Sequence, residues 1–272
     1  MPKEKIGYMA GLPNRASAIL GKTTRDIFLR KSIIFAMFFL LIPSFISIYS
    51  LADTTEDFKE WWGLYSVLGL YMYLQFLVLL YSLIYGSSLV NEDIENRTMT
   101  YMVIRGAKKG EVYLWKYIGT VISLMIMFTV SIITMYVILA GHGSARFVLI
   151  RTDMLLHLLL ASYAGIIFFT ALFSFIGVIF KRPLMIGLLY AFFWEIVMVN
   201  IPFNIQYATG MHYLRSIFTG SDIVRTVVAD ILSDAIDLDR MVNAPFAFIF
   251  LAALSVVLVM AGVYAISRKD IN

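Results

Sequence analysis

The chain has 272 residues, of which 60% are hydrophobic and only 15% charged, with a net charge of +4 and no cysteine. Soluble domains carry about 25% charged residues, so a mean hydropathy of +0.82 excludes an ordinary soluble globule and makes lipid the solvent for much of the chain. The missing cysteines exclude disulfides, thiolate catalysis and cysteine zinc sites, and no basic face of a soluble domain is visible, so nucleic acid is not an expected partner.

The first notable stretch is ASAILGKTT, Ala16 to Thr24, close to the pattern of a phosphate-binding loop. Such a loop needs a preceding buried strand and glycines that let backbone amides converge. Only Gly21 lies inside the match, Ala16 stands where the first glycine belongs, and Met1–Arg15 offers no strand. Arg15–Lys31 reads instead as an amphipathic helix. Ala16, Ile19, Leu20, Thr23 and Ile27 share one face, and Lys22, Arg25 and Asp26 another. That pattern predicts a helix in the membrane interface, its basic side chains towards phospholipid headgroups.

Six apolar segments then follow, each long enough to cross a bilayer as a helix, which takes about 20 residues. They are Ile33–Ser50, Trp61–Leu89, Val112–Ala140, Met154–Phe180, Leu184–Ile201 and Pro245–Ser267. Pro43 predicts a kink in the first, freeing the carbonyl of Phe39. Pro183 and Pro245 fall at helix starts, where proline is tolerated. The long stretch 202–244 carries an aromatic, apolar run (Tyr207, Met211, Tyr213, Leu214, Ile217, Phe218). Ile223, Val224, Val227, Ile231 and Ala235 follow at helical spacing. It predicts helices that lie on or dip into the outer membrane face, or pack on the spans.

Sidedness follows from lysine and arginine. Sixteen of the 22 lie in the N-terminal region, the loop 91–111 with Lys116, the turn Lys181–Arg182 and the C-terminus. Both termini are therefore expected in the cytoplasm, and 202–244 outside. The fold class expected is an all-α membrane protein, one domain over 1–272, with six transmembrane helices.

Few residues offer chemistry. The histidines, His142, His157 and His212, lack metal-site spacing, and no serine lies in a nucleophile elbow. Glu195 is the one ionisable group deep in an apolar span, where a carboxylate needs a partner or water. Asn200 and Asn204 follow towards the outer end. These three are candidates for a gate or substrate path; the alternative for Glu195 is an acceptor that ties down the loop after it.

The loop Glu92–Gly119, EDIENRTMTYMVIRGAKKGEVYLWKYIG, reads as a short cytoplasmic helix with acids at its start and a small apolar face of Met99, Met102 and Val103, ended by Gly106. Lys116 lies one turn inside the third span and can snorkel outwards. The segment resembles the second cytoplasmic region of permease subunits of type-2 ABC transporters. Asp93 and Glu95 fall on the acidic positions of that pattern, Thr98 on its threonine, Lys109 on its basic residue, Lys116 on its lysine and Gly119 on its last glycine. Arg97, Gly106 and Trp115 depart from it.

The resemblance implies six spans with cytoplasmic termini, an interfacial N-terminal helix, and re-entrant or interfacial helices before the last span. It also implies a dimer of two permease copies, identical or not, with two ABC ATP-binding subunits beneath. Those subunits would bind ATP and Mg; this chain would hold no cofactor and would not be an enzyme by itself. Asp93, Glu95, Thr98, Met99, Met102, Val103 and Lys109 would couple to the ATPase. Lys22, Arg25 and Lys116 would face the membrane interface. The implied activity is export through a multi-pass protein of a prokaryotic plasma membrane, along a path past Glu195. Rival readings are a stand-alone carrier or channel, an intramembrane enzyme, and an ABC-type mechanical or sensory partner without transport.

Overall fold

The computed structural model describes residues 12–29, 32–53, 58–95, 108–140, 152–200, 204–232 and 238–269. Among these, every regular element is helical. In an apolar solvent a helix satisfies its own backbone polar groups, which is why long apolar runs take this form.

α1 (Leu12–Leu29) absorbs the whole of ASAILGKTT. Thr23 donates its hydroxyl to the Ile19 carbonyl at 2.9 Å and packs against Gly119, where a Cβ would lie 3.1 Å from the Thr23 side chain. Ile27 is buried, whereas Lys22 and Arg25 are exposed. This stretch is therefore an amphipathic helix seated on the bundle, with no loop in which phosphate-binding amides could converge.

The first apolar segment is divided. α2 (Ser32–Leu40) and α3 (Ile42–Asp53) meet at a turn on Leu41. Pro43 has no N–H, so the helical ladder fails just before it. Two carbonyls of α2 take side-chain donors near this break: Ser131 donates to that of Leu40 at 2.7 Å, and the Tyr81 hydroxyl to that of Ala36. Neither half alone reaches the roughly 20 residues needed to cross a bilayer.

Five continuous helices have that length and hydropathy: Gly63–Leu89, Lys109–Ala140, Thr152–Ile179, Pro183–Asn200 and Ala244–Arg268. In the first of these, α4 (Phe58–Val67) leads through a π-helical stretch, Leu68–Val78, into α5 (Leu79–Glu95). α6 (Lys109–Ala140) and α7 (Thr152–Ile179) are regular. α8 (Pro183–Leu189), with proline in its first turn, passes into a second π-helical stretch, Tyr190–Val197, and a 3-10 turn at Met198–Asn200. A 3-10 turn (Asn204–Ala208), α9 (Gly210–Phe218) and α10 (Asp222–Leu232) precede α11 (Ala244–Arg268).

α5, α6, α7 and α11 form the packed body. Gly177 lets α7 approach α5 so closely that a Cβ there would stand 2.8 Å from the Ser87 carbonyl oxygen. Small residues permit such backbone approach between membrane helices. Polar pairs tie α6 to its neighbours: Tyr73 with Ser131 at 2.6 Å, Tyr113 with Ser174 at 2.7 Å, Thr129 with Tyr163 at 2.6 Å.

The bundle has two distinct ends. At one, Lys109 donates to the Lys269 carbonyl at 2.8 Å and Lys269 to that of Val178 at 2.7 Å. Lys116 donates to the Leu89 carbonyl at 3.3 Å. Lys109 and Lys269 thus sit on carbonyls at or near the C-termini of α11 and α7, where the helix dipole favours cations, whereas Lys116 meets a carbonyl inside α5. At the other end, α10 lies on α4, with Ile231 filling the space beside Gly63. There Ser221 donates to Asp153 at 2.6 Å. Successive long helices thus run in alternate directions between a lysine end and an end roofed by α9 and α10.

Candidate functional site

The site is built around α9. The 3-10 turn Asn204–Ala208 lies back beside the fifth apolar segment, and α9 rises again from it. Trp194 donates its indole N–H to the Ala208 carbonyl at 3.1 Å, while Glu195 meets Gly210 and Asn200 meets Arg215. Residues 195–200 and 210–215 therefore run side by side in the same direction. α9 is re-entrant. Its N-terminus lies against Phe168 and Phe169, more than halfway along α7, and Leu214 rests on Gly165. All nine of its residues are buried.

A helix begun inside a protein leaves N–H groups without intrahelical acceptors. Here each has one. Thr209 N–H donates to the Gln206 carbonyl at 3.0 Å, and His212 N–H to the Thr209 hydroxyl at 3.3 Å. Gly210 and Met211 donate to the Glu195 carboxyl at 3.1 and 2.9 Å, and the Tyr190 hydroxyl adds a third bond to it at 2.7 Å. Glu195 is fully buried. Its oxygens act as acceptors for a neighbouring helix, and an acidic group at a helix N-terminus is favoured by the dipole.

One turn further along α9, Arg215 is 3% exposed. Its Nη2 donates to Gln75 Oε1 at 3.0 Å and to Asn200 Oδ1 at 3.1 Å. Its Nε has no acceptor among the described residues. Burial pulls the guanidinium down to about 10, opposed by the Tyr71 phenol. His212 is also buried, edge-on to the rings of Tyr207 and Tyr213 at 4.9 and 5.6 Å. Burial, with Arg215 nearby, pushes its imidazole from 6.5 to about 4, so it is neutral near pH 7.

Gln75 lies in the first π-helical stretch and Glu195 in the second. Inserted π turns shift side-chain register, and they are frequent at functional sites. Both here turn polar groups onto α9, where buried Gln75, Glu195 and Arg215 are joined by half-buried Tyr190 and by Asn200 at the exposed rim.

The other residues singled out in the sequence fall elsewhere. Asn204 opens the 3-10 turn Asn204–Ala208, and its side chain lies outside the described residues. Asp93 and Glu95 belong to the last turn of α5, not to the start of a separate helix. No glycine or proline breaks Leu89–Glu95, so the helix of the second apolar segment simply continues. Their side chains, and all of Thr98, Met99, Met102 and Val103, lie outside the described residues. Lys109 and Lys116 bind carbonyls at the lysine end, while Lys22 and Arg25 are exposed on α1. Among the described residues no three His, Asp or Glu side chains converge on a metal site.

Arg215 and Gln75 were not legible as functional residues. The one signal was an arginine inside the apolar run GMHYLRSIF. No protein-family model matches this chain, and a search of the curated proteins returns no match.

Proposed function

We propose that this chain is the membrane-spanning permease subunit of an ATP-driven ABC-type exporter. In this reading the divided α2–α3 segment is the first of six transmembrane helices. The lysine end, with both termini, faces the cytoplasm of a prokaryotic cell. Two permease copies, identical or not, pair in the membrane, and two separate ATP-binding subunits hold ATP and Mg beneath them.

The observation that supports this reading best is the re-entrant α9, held between the second, fourth and fifth apolar segments immediately before the last one. Such an element gives the outer half of the bundle a movable polar seal, and the lysine end a compact surface to be pushed from below. The continuous α5, running out to Asp93 and Glu95, supplies a rigid lever from the ATPase to the π-helical stretch that carries Gln75. Transmission of force needs an element of this stiffness.

Co-purification tests the proposal. The detergent-extracted chain should retain an ATP-binding subunit, and substrate movement should require ATP. Glu95→Lys should weaken ATPase docking while membrane insertion is unchanged. An unaltered complex with full transport in that variant would remove the assigned coupling role. A chain that carries no ATPase, or moves substrate without ATP, would overturn the whole reading.

A further inference from the structure

Arg215 is a buried cation whose hydrogen-bonded partners are two neutral amides. Burying a charge is costly unless an opposite charge or a full set of acceptors meets it. Among the described residues neither condition holds: both bonds fall on Nη2, and Nε has no acceptor. Glu195, the nearby acid on the fifth apolar segment, is committed to the N–H groups of Gly210 and Met211 and to Tyr190. The two amides are also unequal. Gln75 is 7% exposed and lies inside the bundle, whereas Asn200 is exposed, sits at the end of its helix and donates its amide N–H to the Ile196 carbonyl at 2.6 Å, so that only its Oδ1 meets Arg215. The surface leading to Asn200 is apolar, with Phe193 and Val197 preceding it and both exposed.

We propose that Arg215 is the recognition group of an oxyanion site, in which a carboxylate or phosphate group displaces the Asn200 amide and pairs with the guanidinium beside Gln75. Guanidinium suits this role because its planar fork binds two oxygens of such a group at once. Gln75 positions the fork, and Asn200 is the exchangeable partner that occupies it when no anion is bound. The lowered basicity of Arg215 agrees with a charge that still lacks its counterion. An anionic headgroup with an apolar tail would find the tail's place along Phe193 and Val197.

The test uses the full-length chain in nanodiscs of phosphatidylcholine alone, without ATP or any ATPase. A failure here therefore leaves the co-purification result standing, and the reverse holds too. Binding of lysophosphatidic acid, uncharged monoolein and inorganic phosphate is measured on the wild type, on Arg215→Gln and on Asn200→Asp. Lysophosphatidic acid should bind saturably and monoolein should not. Both variants should weaken that binding by about tenfold or more. Asn200→Asp supplies a built-in carboxylate at the same place, and it lies on the exposed rim, so it tests the site even if Arg215→Gln does not fold. Competition by inorganic phosphate would mean that a free oxyanion suffices; its absence would make the ligand a membrane-borne headgroup. Equal binding of lysophosphatidic acid by wild type and Asn200→Asp, or equal binding of lysophosphatidic acid and monoolein, would overturn the proposal.

Discussion

The helices Thr152–Ile179 and Pro183–Asn200 are neighbours in sequence and alike in hydropathy, yet they are held in opposite ways. In the first, 67% of the apolar stretch is buried; in the second, 28%. α7 is a regular α-helix packed against α5, α11, α6 and α9. Pro183–Asn200 is part π-helical, with Leu188, Leu189, Phe192 and Phe193 exposed. Apolar packing fixes α7. Polar bonds from Tyr190, Trp194, Glu195 and Asn200 fix the outer half of its neighbour. Lipid offers no hydrophobic penalty for separating two apolar helices, so dispersion and hydrogen bonds decide what stays together. An element held by a few directional bonds can detach and re-form as a unit, whereas a closely packed one cannot move without disturbing its neighbours.

Three substitutions grade this contrast. The largest effect is expected from Glu195→Ala, which leaves two N–H groups of α9 and the Tyr190 hydroxyl without their acceptor. It should destabilise the protein by about 3 kcal/mol or more. Hydrogen exchange should accelerate in Tyr190–Asn200 and Gly210–Phe218 while Thr152–Ile179 stays protected. Equal acceleration in all three would mean that the fifth apolar segment is not separately held. Gly177→Ala should come next, at about 1–3 kcal/mol, because the new methyl meets the backbone of Ser87 rather than a side chain that can turn away. Its thermal unfolding should fall as one cooperative transition, since α5 and α7 are the packed body. The smallest effect is expected from Trp194→Phe, which removes one hydrogen bond to Ala208 at a half-exposed ring. About 0.5–1 kcal/mol should be lost, with local exchange at 204–208 as the readout. A loss as large as that of Glu195→Ala would show that the indole anchors the turn as strongly as the carboxyl group does.

Sequence and structure agree best where a single physical rule operates. Apolar length located Gly63–Leu89, Lys109–Ala140, Thr152–Ile179, Pro183–Asn200 and Ala244–Arg268 to within a few residues, because exclusion of water is a property of composition alone. Helical spacing likewise marked α1 and α10, and the lone proline marked the break between α2 and α3, which falls at Leu41, just ahead of Pro43. The inward dip of α9 was only one of three possibilities for this apolar run, which could also have lain on the membrane face or packed on the spans.

The buried cluster was less legible. Glu195 and Asn200 were identifiable because a carboxyl group, and an amide shortly after it, are rare in an apolar run. Their partners were not, since Gln75 lies 140 residues before Arg215, and no local pattern encodes that meeting. The two π-helical stretches left no trace either, as their residues are as apolar and as helix-compatible as those around them. Composition and hydrophobic length by themselves therefore determined that this chain is helical and embedded in membrane, and they placed five of its six long apolar segments as continuous helices. Only the tertiary structure decided which polar groups face each other inside that bundle. In a low-dielectric interior every donor must find an acceptor through space, and the nearest one is set by how helices pack and wind, not by where residues stand in the chain.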